Sequence, residues 1–152
     1  MLSLFLACLL TSCSSPFGPS NNEGDLFTWT VDGAQYKADK SGISASNSTS
    51  GKVTLKGFSC LSGLGLSLEW SGLAPGTYTS QEFEASWTPD GKTYWDMSST
   101  LGTGSLTITT SAATKVTGRF SLQMVPRVGN STAGNRSVAG SFDISFDRRV
   151  IC

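Results

Sequence analysis

The sequence predicts an all-β fold, an antiparallel β-sandwich of about nine or ten short strands, with a closed β-barrel as the alternative. Three observations carry this expectation. Apolar residues recur with a period of two from Leu26 onward, the pattern of strands with one buried and one wet face. Clusters of Gly, Pro, Asn, Asp and Ser separate these runs at spacings of roughly ten residues. No stretch shows a convincing helical period.

Phe27, Trp29 and Val31 alternate with Leu26, Thr28 and Thr30, and Asp32-Gly33 follows as a two-residue hairpin signal. Ala34, Tyr36 and Ala38 continue on the partner strand. Ile43 to Asn47 form a further short strand before a Ser/Thr/Gly turn. Val53 and Leu55 alternate with Lys52, Thr54 and Lys56, but Phe58 and Cys60 take the opposite parity, so the intervening Gly57 predicts a β-bulge. Leu64, Leu66, Leu68 and Trp70 alternate with small or polar residues, and Pro75-Gly76 marks a turn before Thr77-Tyr78.

Phe83, Ala85 and Trp87 make the next strand. In the turn Thr88-Pro89-Asp90-Gly91-Lys92 the proline presets φ and the glycine accepts a positive φ, so Thr93 to Met97 returns antiparallel. Leu106 and Ile108 then alternate with threonines. The last two strands share one pattern, Val-x-Gly-x-Phe-x-aliphatic-x-large. Val116, Phe120, Leu122 and Met124 line one face of the first, and Val138, Phe142, Ile144 and Phe146 one face of the second. A polar loop from Pro126 to Arg136 joins them.

The N-terminus reads differently. Leu2 to Leu10 is a short apolar run, the length of a signal-peptide core and too short to span a bilayer. It ends in Leu10-Thr11-Ser12-Cys13, which resembles the lipobox of bacterial lipoproteins. That resemblance implies a diacylglyceryl thioether on Cys13, cleavage before it, and a further acyl chain on the freed amine. Each buried methylene adds about 0.8 kcal/mol of membrane affinity, so several chains anchor firmly. No Lys or Arg precedes the run, so the expectation is either a true start upstream of Met1 or an n-region that relies on the amino terminus alone. Ser14 to Asp25 is too polar and turn-rich to fold and reads as a tether. The organisation is thus a signal peptide over 1–12, an acylated cysteine and tether over 13–25, and one domain over 26–152. By analogy with other Gram-negative lipoproteins, the resemblance implies that Ser14 and Ser15 after the cysteine, in place of Asp, fit sorting to the outer membrane.

Composition excludes several functions. Lys plus Arg and Asp plus Glu balance at 11 each, which argues against nucleic acid as a partner. The chain has no histidine, so Ser-His-Asp and Cys-His relays and imidazole metal ligation are excluded. Cys8 leaves with the signal peptide and Cys13 is the acylation site. Cys60 and Cys152 remain, an even pair that predicts a disulfide in an exported chain. In the chain-entropy model so long a loop is worth about 4 to 5 kcal/mol.

The hairpin Trp29-Thr30-Val31-Asp32-Gly33, the segment Gly76-Thr77-Tyr78, and the strands carrying Gly118-Arg119-Phe120 and Gly140-Ser141-Phe142 together resemble a family of small lipoprotein β-domains of unknown function from the Bacteroidota. The resemblance spans Leu26 to Phe146 and implies neither an activity nor site residues. Arg148 to Cys152 runs past the family's usual end.

Candidate chemistry is sparse. Trp87, Tyr94 and Trp95 flank one hairpin and are the candidate platform for stacking on sugar rings, although Trp29, Trp70 and Trp87 are also in phase with the core. Tyr94 and Trp95 are adjacent and must point to opposite faces. Glu82 and Glu84 share a strand face but lack the facing geometry of a glycosidase pair. Asp90, Asp96 and Asp143 lack the spacing of a calcium loop. The sequence predicts no catalytic, metal or cofactor site. It predicts a lipid-anchored, non-enzymatic binding or structural module of the cell envelope, with a membrane, and a glycan or an envelope protein, as partners. The alternative is a glycan-binding accessory lipoprotein that uses the aromatics of the 83–97 hairpin.

Overall fold

A computed structural model of the chain describes residues 24–127 and 134–146. The fold is all-β, as expected. The strands are β1 (Leu26–Val31), β2 (Ala34–Lys37), β3 (Ile43–Asn47), β4 (Lys52–Phe58), β5 (Gly65–Ser71), β6 (Gly76–Thr79), β7 (Phe83–Thr88), β8 (Trp95–Met97), β9 (Thr103–Ala112), β10 (Lys115–Pro126) and β11 (Arg136–Ser145). Among the described residues the only helical element is a 3-10 turn at Lys40–Gly42. Every strand pairing is antiparallel.

The strands form two sheets that share one strand. The first runs β2-β1-β11-β10-β9-β6 and the second β8-β7-β5-β4-β3. β10 is long enough to serve both. Its length from Lys115 to Met124 pairs with β11, while Val125 and Pro126 pair with Asp96 and Trp95 of β8. The opposite corner is stitched by two consecutive residues. The Ala38 N–H donates to Phe27 O of β1, and the Asp39 N–H to Phe58 O of β4, both at 3.0 Å. The result is one antiparallel sheet curled into a half-barrel, an architecture that lies between sandwich and barrel.

The period of two puts Phe27, Trp29 and Val31 of β1, Leu66, Leu68 and Trp70 of β5, and Val116, Phe120, Leu122 and Met124 of β10 into a common core. Phe27 is wholly buried and meets Phe120 and Phe142 edge to face, at 6.1 and 6.2 Å between ring centres. Burial of such a side chain contributes about 1.5–3 kcal/mol.

Gly57 does not form the expected bulge. β4 and β5 pair without a break from Lys52↔Ser71 to Phe58↔Gly65. Gly57 points inward in phase with Val53 and Leu55, and the ring of Phe27 from the other sheet occupies its side-chain space: a Cβ there would lie 2.3 Å from Phe27 Cδ1. Phe58 therefore faces outward. The irregularity in register falls instead between β9 and β10, at Thr117 and Gly118.

The shared pattern of the last two strands has a geometric cause. Antiparallel pairing sets Gly118 opposite Phe142 and Phe120 opposite Gly140. A Cβ on either glycine would come within 2.6 Å of the facing ring. Each phenylalanine thus fills the place its partner's glycine leaves.

The Asp32-Gly33 hairpin is as expected, with both residues at positive φ, 49° and 87°. The tip is also tied down. Asp32 accepts the Ser137 N–H at 3.0 Å and pairs with Arg136 at 2.8 Å. These two donors, the Ser137 amide first, hold the Asp32 carboxyl below the ordinary carboxylate range.

Candidate functional site

The outer face of the second sheet carries a trough. Alternation turns Lys56 and Phe58 of β4, Gly65, Ser67 and Glu69 of β5, Glu84, Ser86 and Thr88 of β7, and Asp96 of β8 away from the core. The pairing arranges them in rows across the strands. One row is Phe58, Gly65, Thr88; the next is Lys56, Ser67, Ser86, Asp96; the third is Thr54, Glu69, Glu84. In the first two rows the central strands present small residues, Gly65, Ser67, Ser86 and Thr88, between larger ones on the flanks; the third row reverses this, with Glu69 and Glu84 at the centre. Three strand spacings separate the β4 and β8 backbones, about 14 Å. Two open hollows occupy this face, of about 420 and about 380 Å³, and both are lined by Lys56, Ser67 and Ser86.

One wall is built by Arg127, the residue after β10. Its Nε and Nη2 meet the two carboxylate oxygens of Asp96 at 2.6 and 2.8 Å, a bidentate fork. Its Nη2 also reaches Ser86 Oγ at 3.4 Å, and its guanidinium lies 4.5 Å from the centre of the Tyr94 ring. Asp96 holds the Arg127 guanidinium proton more tightly than usual. Tyr94 is further fixed by its hydroxyl, which donates to Gly91 O at 2.9 Å. The opposite wall is Phe58, whose ring fills the space above Gly65: a Cβ there would lie 2.3 Å from Phe58 Cδ1.

The two ends differ. At one end Gly63 and Gly91 meet, both at positive φ, with a Cβ on Gly63 only 3.0 Å from Asp90 O. Asp90 fixes this turn by accepting the Lys92 and Thr93 N–H groups at 2.8 Å each, and those bonds lower its pKa. At the other end Glu69 stands directly opposite Glu84. Like charges so placed repel. Lys52 offsets this by pairing with Glu69, and Glu69 together with the nearby Glu84 raises the Lys52 pKa. Thr54 Oγ1 also donates to Glu69, at 3.3 Å. Along the trough Lys52, Lys56 and Arg127 balance Glu69, Glu84 and Asp96. Glu84 and Lys56 make no hydrogen bond or ion pair among the described residues.

A third hollow of about 450 Å³ lies beside β2 on the first sheet, lined by Thr28, Thr30, Gln35, Lys37 and Ala139 among others. Its β11 side is only Ala139 and Gly140, so it has one wall where the trough has two. Among the described residues no three His, Cys, Asp or Glu side chains group as metal ligands do.

The aromatic platform expected from the sequence is corrected by the structure. Trp87 and Trp95 are each only 4% exposed, with ring centres 4.9 Å apart and planes tilted by 46°. Trp95 donates its indole N–H to Gly134 O at 2.9 Å. Both rings complete the core because residues 87 and 95 face each other on the inner side of the β7–β8 pair. Tyr94, as its neighbour, faces out and is the one member of the three at the trough. Its outward aromatic companion is Phe58, which the sequence reading assigned to a phase slip; an aromatic in the polar phase of β4 was the signal. Glu82 serves the turn after β6, accepting the Thr79 N–H at 2.8 Å. Cys60 lies exposed after β4, its N–H donating to Asp39 at 2.9 Å and its sulfur 3.7 Å from Ser41 Oγ. Cys13 and Cys152 lie outside the described residues.

Residues 25–143 match the family model of a domain of unknown function, DUF6252, and the chain belongs to that family. No curated protein and no solved structure matches it.

Proposed function

We propose that the protein is a lipid-anchored module of the cell envelope that binds a ligand without transforming it, through the trough on the second sheet. The observation that carries the binding reading is the relief of the first two rows of that face, where Gly65, Ser67, Ser86 and Thr88 on the two central strands lie between larger residues on both flanks. Core packing does not require this grading, since none of these side chains points inward. The carboxylates support binding over catalysis. Asp96 is engaged by Arg127, and Glu69 by Lys52 and Thr54, which leaves Glu84 without the second carboxylate a hydrolase needs across a cleft.

Anchoring rests on the sequence: the apolar run, the lipobox-like Leu10 to Cys13, and the polar tether. Cys13 carries the lipid, and the outer membrane of a Gram-negative cell is the location. Growth with an alkyne-tagged palmitate is the test. The full chain takes up the tag and sediments with outer membranes, and Cys13→Ala loses both. Tag uptake by Cys13→Ala, or recovery of untagged wild type in a soluble fraction, would overturn the anchoring.

With Cys13 acylated, Cys60 and Cys152 are the cysteines left to the mature domain, and we assign them to one disulfide that ties the C-terminus to the segment after β4. Intact mass after alkylation without reductant reads two fewer labels than after reduction. Two labels without reductant would remove the bond.

A further inference from the structure

We infer that the trough is a subsite for an uncharged oligosaccharide; this rests on the binding-module reading above and names its ligand class. The first argument is charge. The ionic groups of the trough balance, so the site does not steer polyanions or polycations. The second is the kind of hydrogen-bonding group on offer. β5 is paired on both sides, by β4 and β7, and β7 by β5 and β8, so the floor has no open strand edge. An extended peptide laid there would find no ladder partners for its amides, and such peptides bind by adding to an edge. The floor offers hydroxyls instead, from Ser67 and Ser86, with the Lys56 ammonium and the Glu84 carboxylate lining the same hollow as donor and acceptor. Those are the partners that hydroxyl groups use.

The third argument is the walls. Phe58 and Tyr94 both line the hollow of about 380 Å³ and stand at its two sides. Phe58 is half-buried at a position where alternation calls for a polar side chain, and its ring is held down against Gly65. Tyr94 is held by Arg127 on its face and by Gly91 through its hydroxyl. Aromatic side chains with fixed orientation bring a large apolar surface at little entropic cost. A pyranose matches this surround, since its C–H face packs on an aromatic ring while its rim of hydroxyls meets polar side chains. The hollow that adjoins it at Lys56, Ser67 and Ser86 continues the path, so that the site accepts a short chain rather than a single ring.

The test is calorimetric titration of the full chain in detergent with cellohexaose, xylohexaose, mannohexaose, maltohexaose and chitohexaose, and with a neutral Gly-Ser hexapeptide. At least one hexasaccharide binds with a Kd of roughly 10 µM to 1 mM. Ser67→Tyr, which fills the floor without touching the core, weakens binding at least tenfold, as does Phe58→Ala. Ser121→Tyr, on the outer face of the first sheet, leaves it unchanged. Absence of binding to every hexasaccharide at millimolar concentration would overturn the proposal. So would affinity indifferent to Ser67→Tyr, or binding of the hexapeptide alone. Each of these outcomes is separate from the Cys13 tagging experiment, which stands or falls without the trough.

Discussion

Phenylalanine is set against glycine in two regions of this molecule, with opposite outcomes. On β10 and β11 the pairs Phe120–Gly140 and Phe142–Gly118 face inward, and the rings meet Phe27 from β1. On β4 and β5 the pair Phe58–Gly65 faces outward and lines a hollow. The local device is the same: a glycine removes the side chain that would keep a ring off the sheet. Inside, the ring meets other rings and the device serves cohesion. Outside, it leaves a ring fixed at the edge of a polar floor. The comparison teaches that a cross-strand pair does not set its own role; the face it occupies does.

The largest effects expected are therefore inside. Phe120→Ala opens a cavity between the sheets and costs about 3–5 kcal/mol. Gly140→Val places a Cβ near Phe120 and 2.3 Å from Thr28 O, main chain that cannot move aside, and costs about 3 kcal/mol. Urea unfolding of each variant checks both. Loss of less than about 1 kcal/mol in either would mean that the inward pairs do not hold the sheets together. Phe58→Ala is smaller, about 1–2 kcal/mol, because its ring is half-exposed. A loss as large as that of Phe120→Ala would erase the contrast between the faces.

Next in size is a difference between two neighbouring indoles. The Trp95 N–H is bonded to Gly134 O, whereas the Trp87 N–H is buried with no acceptor among the described residues. Trp95→Phe is expected to cost about 1 kcal/mol more than Trp87→Phe. Equal thermal unfolding of the two variants would contradict this. The smallest effect is electrostatic. Asp32, at the tip of the β1–β2 hairpin, has its folded pKa lowered below the ordinary 3.8. Its contribution is complete above that pH and disappears as pH falls through the lowered value. It is an exposed group, so less than about 1 kcal/mol is involved. Asp32→Asn should match wild type at pH 2 and fall slightly below it at pH 7, a difference read by urea unfolding at the two values.

The strands were legible in the sequence because one side chain in two is apolar wherever a sheet has one wet face. So was the Asp32-Gly33 turn, whose two positive φ values few other residue pairs accept. The role of Gly57 was not, because the Phe27 ring that excludes a side chain there lies far away in the chain. The trough was hidden for a related reason. Its floor and walls come from β4, β5, β7 and the residue before β8, Phe58, Ser67, Ser86 and Tyr94 among them, and only register aligns them. Tyr94 could be placed on the surface from its adjacency to Trp95. Arg127 could not be placed beside it, since that requires knowing that β10 leaves one sheet and joins the other.

The paired amides of Ala38 and Asp39 give this fold an internal gauge. One reports on the carbonyl of Phe27, the other on that of Phe58, and the two belong to different sheets. If the half-barrel opens as one unit, deuterium enters both positions at the same rate. If the sheets part before either melts, neighbours in sequence will record two different clocks.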